Sequence, residues 1–375
     1  MLKDSAKLDR GKVSCIQCVG NLFGRGKVIH HLEEREMLRY MCLFIVLSNP
    51  EGILAQNASD VPIVEVTVTE NVVLYKTGET NAYPNMIALK TQKGVVVFDT
   101  HAITQVAERI RVMIGRRFGG KIAYVISTHG WYDHTNGNIV FKGIPVIAHD
   151  QAAVEMTMLL GESRNPVIEQ ELGKRVTELT KFKDQYAGNP KDVDEAIEVT
   201  KAKREARNMA GNMPSIQFSD RMTLDMGSVT MRLYYNTPSY STSDIIIEIP
   251  EEKVLVVGDI FNKGRLPWLD RETDFASMQN LFARFVSDSS HIRHFIGTHG
   301  YLIDMNEMRE QLQYINKLRE DVTALRRDGR TLEEIRNKLD LKALPFLNSY
   351  NPYVNGTDLN LHHLNIRTIW RMLGG

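Results

Sequence analysis

Cysteine is almost missing from this sequence, since only Cys15, Cys18 and Cys42 occur, all near the start of the 375 residues. Three cysteines cannot form a disulfide framework. The chain also lacks a net charge, because its 46 basic residues are balanced by 46 acidic ones. A neutral chain gives no support for nucleic acid or anionic lipid as a partner. The longest apolar run, residues 41–47, is too short for the roughly 20 residues of a membrane span. A small-molecule ligand is the partner class that remains.

The N-terminal region contains a pattern of its own. The apolar run at 41–47 follows a basic residue and precedes small residues near Ala55. This order is typical of a secretory signal that starts at Met37, although a buried strand or a short helix would also account for the run. The sequence therefore predicts a non-native or disordered leader over 1–36, a signal peptide over 37–58, and a periplasmic or secreted protein.

The body of the chain alternates strand and helix patterns, which predicts an α/β fold. Continuous apolar runs at 95–99 and 122–126 are typical of fully buried strands. The charged segment 151–211 has no strand signal and predicts two or three inserted helices. Beyond residue 305 the pattern predicts a helix over 305–327, a capped helix that opens at Thr331 and a helix over 359–373. Their apolar side chains recur at helical spacing, so these helices need a surface to pack on.

Histidine and aspartate recur directly after the buried strands. One group contains His129, Asp133 and His134, Asp259 follows a second strand, and His299 follows a third. Loops at strand ends are where α/β proteins hold their functional side chains, because rigid strands fix the positions of these groups. Imidazole and carboxylate together suit zinc, iron or manganese. The set predicts a metal site.

Five motifs carry a family resemblance in their order along the chain. They are Phe98–Thr100, Ser127–Asn138, Asn236–Ser241, Pro250–Asp259 and Thr298–Gly300. In this order they resemble the motifs of the metallo-β-lactamase-fold hydrolase superfamily. Two further stretches, Gly264–Trp268 and Leu364–Trp370, resemble the branch that holds alkylsulfatase-like and quinoprotein-associated hydrolases.

The resemblance implies a fold and a division of the chain. The fold is α/β, a four-layer αββα sandwich that occupies residues 62–305. A helical insert at 151–211 and C-terminal helices over 306–375, packed on the sandwich, complete the expected organisation.

The resemblance also assigns site residues, and here the sequence departs from the family. The family holds one metal with three histidines, whose positions match His129, Trp131 and Tyr240. Trp131 has no lone pair for a metal and a neutral tyrosine is a poor ligand, so two of these three ligands are lost. The ligands of the second metal are retained.

The retained positions are Asp133, His134, Asp259 and His299. They imply one ion per chain, zinc in preference to iron or manganese, with His129 able to reach the ion or a water on it. Asp133 is also predicted to be catalytic.

Two classes of function stay open at this stage. The first is a mononuclear metal-dependent hydrolase of an ester, lactone, sulfate ester or β-lactam that uses a metal-activated water. Tyr240 could donate to a developing oxyanion in such an enzyme, or it could be a residue that changed once its metal was lost. Trp131 and Trp268 are predicted to contact the substrate. The second class is a non-catalytic protein that keeps the fold and acts in binding. The sequence does not predict the oligomeric state.

Overall fold

The computed structural model describes residues 60–162, 165–186, 189–203, 212–236, 239–269, 273–287, 291–341, 350 and 360–374. The predicted leader and signal peptide lie outside the described residues. The strands are β1 Ile63–Thr67, β2 Val72–Thr77, β3 Met86–Thr91, β4 Gly94–Phe98, β5 Ile122–Ile126, β6 Val146–His149, β7 Ile216–Phe218, β8 Arg221–Asp225, β9 Thr230–Tyr235, β10 Ile245–Ile249, β11 Val254–Gly258 and β12 His294–Gly297. The helices are α1 Thr104–Phe118, α2 Tyr132–Thr135, α3 Asp150–Glu162, α4 Pro166–Phe182, α5 Pro190–Ala202, α6 Phe275–Val286, α7 Met305–Arg327, α8 Leu332–Lys338 and α9 Leu361–Met372.

The strands form two sheets. The first has the order β1-β2-β3-β4-β5-β6-β7 and is antiparallel up to β4 and parallel from β4 to β7. The second has the order β12-β11-β10-β9-β8, and in it only β11 and β12 run parallel. Because parallel strands end at the same edge, the residues after β4 and β5 are neighbours, and so are those after β11 and β12.

Three apolar clusters hold the layers together. Alternate residues of a strand point to opposite faces, so each sheet has two apolar faces to bury. Val96 and Phe98 of β4 face the second sheet and pack in one cluster with Ile245 and Ile247 of β10. On the outer face of the first sheet, Val97 packs in a cluster that includes α1.

The outer face of the second sheet is covered by the later helices. Leu255 of β11 and Phe295 of β12 share a cluster with Phe282 of α6, Ile315 of α7 and Ile366 of α9. The order of layers is therefore helix, sheet, sheet, helix. This is the αββα sandwich that the resemblance implies.

The helical insert is formed by α3, α4 and α5, which connect β6 with β7 of the first sheet. Pro166 and Pro190 stand at the first positions of α4 and α5, and the preceding Asn165 and Asn189 cap these helices with their side chains. Among the helices that the structure describes, none combines the length and the hydropathy of a membrane span.

Candidate metal centre

Three strands deliver the candidate ligands to one place, and a fourth delivers a supporting aspartate. Asp99 follows β4, and β5 is followed by Thr128 and His129 and then by the short helix α2, which carries Asp133 and His134. Asp259 directly follows β11, and His299 comes two residues after β12. The two sheets therefore both contribute donors to a single site between their carboxyl edges.

Two carboxylates and two imidazoles meet at this site. The Nε2 atom of His134 lies 3.3 Å from Oδ2 of Asp133 and 3.7 Å from Oδ2 of Asp259. The Nε2 atom of His299 lies 3.4 Å from Oδ1 of Asp259 and 3.9 Å from Oδ2 of Asp133. All four side chains are buried. The structure thus brings together the four residues that the sequence proposed as ligands.

His129 completes the group. One of its ring nitrogens lies within 4.8 Å of donor atoms of His134 and Asp259, and a second set with this spacing consists of Asp133, His134 and His299. The sequence left open whether His129 reaches the other donors, and the geometry brings it among them.

Several buried atoms of the site have no hydrogen-bond partner within the described part of the chain. They are Nε2 of His129, Oδ1 of Asp133, Nε2 of His134 and Oδ2 of Asp259. Buried polar atoms are normally satisfied, so four orphaned ones in one cluster indicate a site for a further ligand. All four are nitrogen or oxygen atoms of the types that zinc accepts. The residues fit a metal ion.

The opposite nitrogen of each imidazole is engaged. Nδ1 of His134 donates to Oδ2 of Asp99 at 3.0 Å, and Nδ1 of His299 donates to the carbonyl oxygen of Asn81 at 3.0 Å. The hydroxyl of Thr128 donates to Asp99 at 2.8 Å, which leaves its oxygen to accept from Nδ1 of His129 at 3.1 Å. In their neutral forms all three rings therefore present the lone pair of Nε2 to the site, the arrangement that metal ligands require.

These supporting residues were not among the site residues predicted from the sequence. Asp99 accepts from the backbone nitrogen of Thr128 as well as from its hydroxyl, both at 2.8 Å, and it has a positive φ of 53°, a conformation that aspartate tolerates. Its position directly after a buried strand was a usable signal. Asn81 lies far from any motif, and the sequence contained no signal for it.

The charges of the site depend on one another. Burial lowers the pKa of His134, but the carboxylates of Asp133 and Asp259 outweigh burial and hold this pKa well above its ordinary value. Burial raises the pKa of Asp259, but His299 and His134 keep it well below the ordinary value of a carboxyl group. The two carboxylates are thus ionised and attract a positive charge, which a proton on His134 or a metal ion supplies.

An aromatic cluster of Trp131, Tyr240 and Trp268 lies beside His129. The ring centre of Tyr240 is 5.5 Å from that of His129, 5.1 Å from that of Trp131 and 5.7 Å from that of Trp268. Burial raises the pKa of Tyr240 well above its ordinary value, and the carboxylates of Asp259 and Asp133 raise it further. The phenol is therefore neutral. Trp131 and Tyr240 are thus bulky rings that fill the space next to His129.

Two acidic side chains, the buried Asp244 and the half-buried Glu155, hold the loop that carries Tyr240. Oδ2 of Asp244 accepts from the backbone nitrogens of Tyr240 at 2.7 Å and of Ser241 at 2.6 Å. Glu155 of α3 accepts from the backbone nitrogens of Gly130 at 2.9 Å and of Thr242 at 2.8 Å. The helical insert therefore fixes the loops on both sides of the aromatic cluster. Neither of these two acidic residues was assigned a role from the sequence.

The fold and this donor set are those of a metal-dependent hydrolase-like protein. The sequence model of the metallo-β-lactamase superfamily matches residues 80–294, which is more than half of the chain. The chain belongs to the metallo-β-lactamase superfamily, a superfamily of metallohydrolases.

Solved structures with a similar fold include two of one enzyme. The stereoselective inverting sec-alkylsulfatase Pisa1 from Pseudomonas sp. is 15% identical, with 80% of this chain and 50% of that chain covered and a TM-score of 0.55. For a double mutant of the sec-alkylsulfatase PisA1 the identity is 14%, the coverage 98% and 63%, and the TM-score 0.57. The chain thus spans between half and two thirds of these alkylsulfatase chains.

A third solved structure has a lower score. A metallo-β-lactamase from Pontibacter korlensis is 12% identical, with 67% of this chain and 98% of that chain covered and a TM-score of 0.46. A search of the curated proteins gave no match. At these identities the likeness concerns the fold alone.

Proposed function

We propose that the protein is a mononuclear metal-dependent hydrolase that acts on a small ester, lactone, sulfate ester or β-lactam. The observation that carries the proposal is the convergence of orphaned, buried nitrogen and oxygen atoms at the carboxyl edges of the two sheets. Zinc is the metal we expect, before iron or manganese, because imidazole and carboxylate ligands suit it. When bound, such an ion supplies Lewis acidity, which lowers the pKa of a water from about 15.7 towards 7 and polarises a substrate oxygen.

We assign the ion to Asp133, His134, Asp259 and His299, with His129 as an additional donor. Asp99 orients His134 and keeps its Nε2 free of a proton in the neutral form. Oδ1 of Asp133 bonds no other described group, so it is free to accept a proton from the attacking water. This gives Asp133 the catalytic role that the sequence suggested for it.

The aromatic cluster favours the binding of a single ion, and it marks the side of the site on which we expect the substrate to bind. Of the three positions that hold a metal elsewhere in the family, only His129 offers a ligand here, and one imidazole falls short of the three or four protein ligands that zinc takes. Trp131 and Trp268 offer apolar faces to a substrate on either side of Tyr240. The neutral hydroxyl of Tyr240 is suited to donate to an oxyanion that develops on the substrate.

The proposal is tested first by metal content. Protein purified from medium that contains zinc, iron and manganese should hold close to one equivalent of zinc by mass spectrometry. His299→Ala should lose it, while His294→Ala should retain it, because His294 lies at the opposite end of β12. Wild-type protein without metal, or a His299→Ala variant with unchanged metal content, contradicts the assignment.

Hydrolysis is tested next, with chromogenic carboxylic esters, lactones, sulfate esters and cephalosporins. The proposal requires turnover of at least one class that disappears in His299→Ala and persists in His294→Ala. A protein that holds one ion and turns over none of the four classes is instead the non-catalytic binding protein, the alternative that the bulky Trp131 and Tyr240 would explain.

We also propose that the mature protein is periplasmic or secreted after cleavage of residues 37–58 near Ala55–Ala58. The support is the short apolar run with its basic start and small residues. N-terminal sequencing of protein exported from a Gram-negative host should give a start just after this region. A cytosolic product with Met1 or Met37 intact contradicts the proposal.

A further inference from the structure

The loop over residues 78–85 connects β2 with β3 and lies against His299. The backbone nitrogen of Asn85 donates to the carbonyl oxygen of Thr298 at 2.6 Å, and its side-chain nitrogen donates to the carbonyl oxygen of Gly300 at 2.7 Å. The residues on either side of His299 are thus bound to one loop of the first sheet. We call this loop the His299 cradle.

The imidazole of His299 bonds the same loop. Its Nδ1 atom donates to the carbonyl oxygen of Asn81 at 3.0 Å. Gly300 has a φ of 74°, and a Cβ atom added there would lie 2.7 Å from the side-chain oxygen of Asn81, so the two segments are closely fitted. The bond at Nδ1 sets the direction in which Nε2 presents its lone pair. The position of the cradle therefore decides how well His299 meets an ion.

A buried lysine at the end of β2 holds the first half of the cradle. Lys76 is only 2% exposed, and its ammonium group donates to the carbonyl oxygens of Thr77 at 3.0 Å, Gly78 at 2.7 Å and Thr80 at 2.5 Å. These three acceptors match the three donors of an ammonium group. Burial lowers the pKa of Lys76, and the nearby Glu195 opposes this effect.

A buried glutamate of the helical insert holds the same turn from the other side. Glu195 of α5 accepts from the backbone nitrogen of Glu79 at 2.5 Å. It also accepts from the backbone nitrogen of Thr80 at 3.2 Å and from its hydroxyl at 2.6 Å. A Cβ atom added at Gly78 would lie 2.7 Å from the carboxylate, so the helix and the turn are in close contact. The lysine thus binds the carbonyl groups of the turn, and the glutamate binds its amides.

Two opposite charges are therefore buried around one short turn. Desolvation makes such an arrangement costly, so a buried pair of charges is weak evidence for stability, and its best-attested use is to select one arrangement among several. The arrangement selected here is that of the cradle. Because the cradle contacts His299, the selection extends to the metal centre.

We propose that Lys76 and Glu195 are positioning residues of the metal centre, which fix the His299 cradle and thereby direct Nε2 of His299 towards the ion. The proposal couples the helical insert, through Glu195, to the affinity for the metal. It rests on the metal site of the proposed function but requires no hydrolysis.

Binding of Co²⁺ to the metal-free full chain tests this coupling. The visible spectrum of Co²⁺ depends on its coordination geometry, so one titration measures both affinity and geometry. Glu195→Ala should bind Co²⁺ about tenfold more weakly, at the lower end of the usual effect of an outer ligand partner, and its absorption bands should shift. Glu195→Gln keeps an oxygen for the amides of the turn and should restore most of the affinity. Lys76→Met should resemble Glu195→Ala.

The insert provides a matched control in a second buried pair. Lys203 is also only 2% exposed, and it pairs with Glu162 of α3 at 2.9 Å. Glu162→Ala should lower the melting temperature but leave the affinity for Co²⁺ and its spectrum as in wild type. A Glu195→Ala variant that behaves in the same way, with a lower melting temperature and unchanged Co²⁺ binding, shows a purely structural role and overturns the proposal.

A measurement on wild type alone tests the reciprocal effect, which holds even where a variant fails to fold. If the insert supports metal binding, metal binding must stabilise the insert by the same free energy. Amide hydrogens of α5 should therefore exchange more slowly with solvent when Co²⁺ is bound, while those of α8, which packs on the outer face of the second sheet, should change little. Equal exchange of α5 with and without Co²⁺ contradicts the coupling.

The outcomes separate this inference from the proposed function. Weaker Co²⁺ binding in Glu195→Ala, together with no hydrolysis by wild type, keeps the positioning role and rejects the hydrolase. Hydrolysis by wild type, together with equal Co²⁺ binding in wild type and Glu195→Ala, keeps the hydrolase and overturns the positioning role. Wild type that binds no Co²⁺ overturns both.

Discussion

At the scale of single residues, the carboxylate behind His134 is the first to test. Asp99 fixes the ring of His134 through Nδ1, so Asp99→Asn should weaken zinc binding by about 10- to 100-fold, as is usual for the loss of such a partner. Competition with a chromogenic chelator measures the affinity. The matched control is Asp150→Asn, which removes an exposed carboxylate from the start of α3. An affinity that is unchanged in Asp99→Asn would show that His134 needs no such support.

The rings beside His129 give a prediction on metal stoichiometry. Trp131→His together with Tyr240→His would place two further imidazoles next to His129, and three imidazoles are a sufficient set for zinc. The double variant should therefore bind about two equivalents by mass spectrometry, against one for wild type, and should hydrolyse faster. Wild-type protein that already binds two ions would refute the single-ion assignment.

Asp244, which holds the loop of Tyr240, makes the stability of the protein depend on pH. Burial raises the pKa of Asp244 to about 8, and the nearby Glu155 adds to the effect. The folded state therefore holds a proton that the unfolded state releases near its ordinary pKa of 3.8. Between about pH 4 and pH 8 the folded protein therefore binds more protons than the unfolded protein does. The contribution of Asp244 to the free energy of unfolding is fully present below this window and is lost as the pH rises through 8.

Urea denaturation between pH 5 and pH 9 measures this dependence. Asp244→Asn, which cannot ionise, should show a flatter dependence than wild type. Asp225→Asn is the control, because that carboxylate is fully exposed and lies outside the loop. A dependence as steep in Asp244→Asn as in wild type would assign the effect to other groups.

Single residues also show how far the sequence can predict the site. The residues with metal-ligand chemistry were all predicted, because each follows a buried strand and the order of motifs is specific. Asn81 has no such signal, because its role arises from loops that meet only after the two sheets have packed. Asp99 lies between these cases: its position carried a signal, but only the contact with His134 gives it a role.

At the scale of elements, the C-terminal helix α9 holds the loop of Trp268. Asn365 accepts from the backbone nitrogen of Leu269 at 3.0 Å, and it donates to the carbonyl oxygen of Pro267 at 2.7 Å and to the hydroxyl of Tyr314 at 3.1 Å. Asn365→Ala leaves these buried groups unsatisfied, so it should cost about 2–4 kcal/mol in the free energy of unfolding.

Urea denaturation gives that free energy. Asn360→Ala removes only the side-chain cap of the same helix and should cost about 1 kcal/mol. If the two variants are equally stable, Asn365 does not hold the loop. A rise in KM in Asn365→Ala, with the metal content unchanged, would connect the helix to the substrate side of the site.

The elements themselves were predicted unevenly. The pattern predicted a helix over 305–327, and the structure has α7 at Met305–Arg327. The capped helix opening at Thr331 was also correct, since the structure shows both bonds of the capping box there. Sequence reasoning missed α6, although Phe275, Met278, Phe282 and Phe285 recur at helical spacing behind the cap at Asp274.

The strand β7 was missed for a different reason. It has three residues, Ile216–Phe218, and exists through parallel pairing with β6. A run of this length has no periodicity to detect, and its pairing depends on the three helices that bring it back to the first sheet.

At the scale of the whole molecule, the last helices complete the core. Phe295 of β12 and Leu255 of β11 pack in one cluster with Leu318 and Ile366 of the C-terminal helices. A chain cut after residue 304 would expose this outer face of the second sheet, and large exposed apolar patches lead to association. We therefore expect limited proteolysis to release no stable 62–304 fragment. A fragment of this kind with an unchanged melting temperature would show the helices to be dispensable.

The division of the ligands between the two sheets has a consequence for motion. Asp133 and His134 belong to the first sheet and Asp259 and His299 to the second, so an ion held by all four is a cross-link between the layers. Any opening that parts the sheets must then release the ion, and its free energy rises with the free metal concentration by linkage. Amide hydrogens of β4 and β11, the strands that end at the site, should exchange with solvent more slowly as zinc is added, while those of the outer strand β1 should not change.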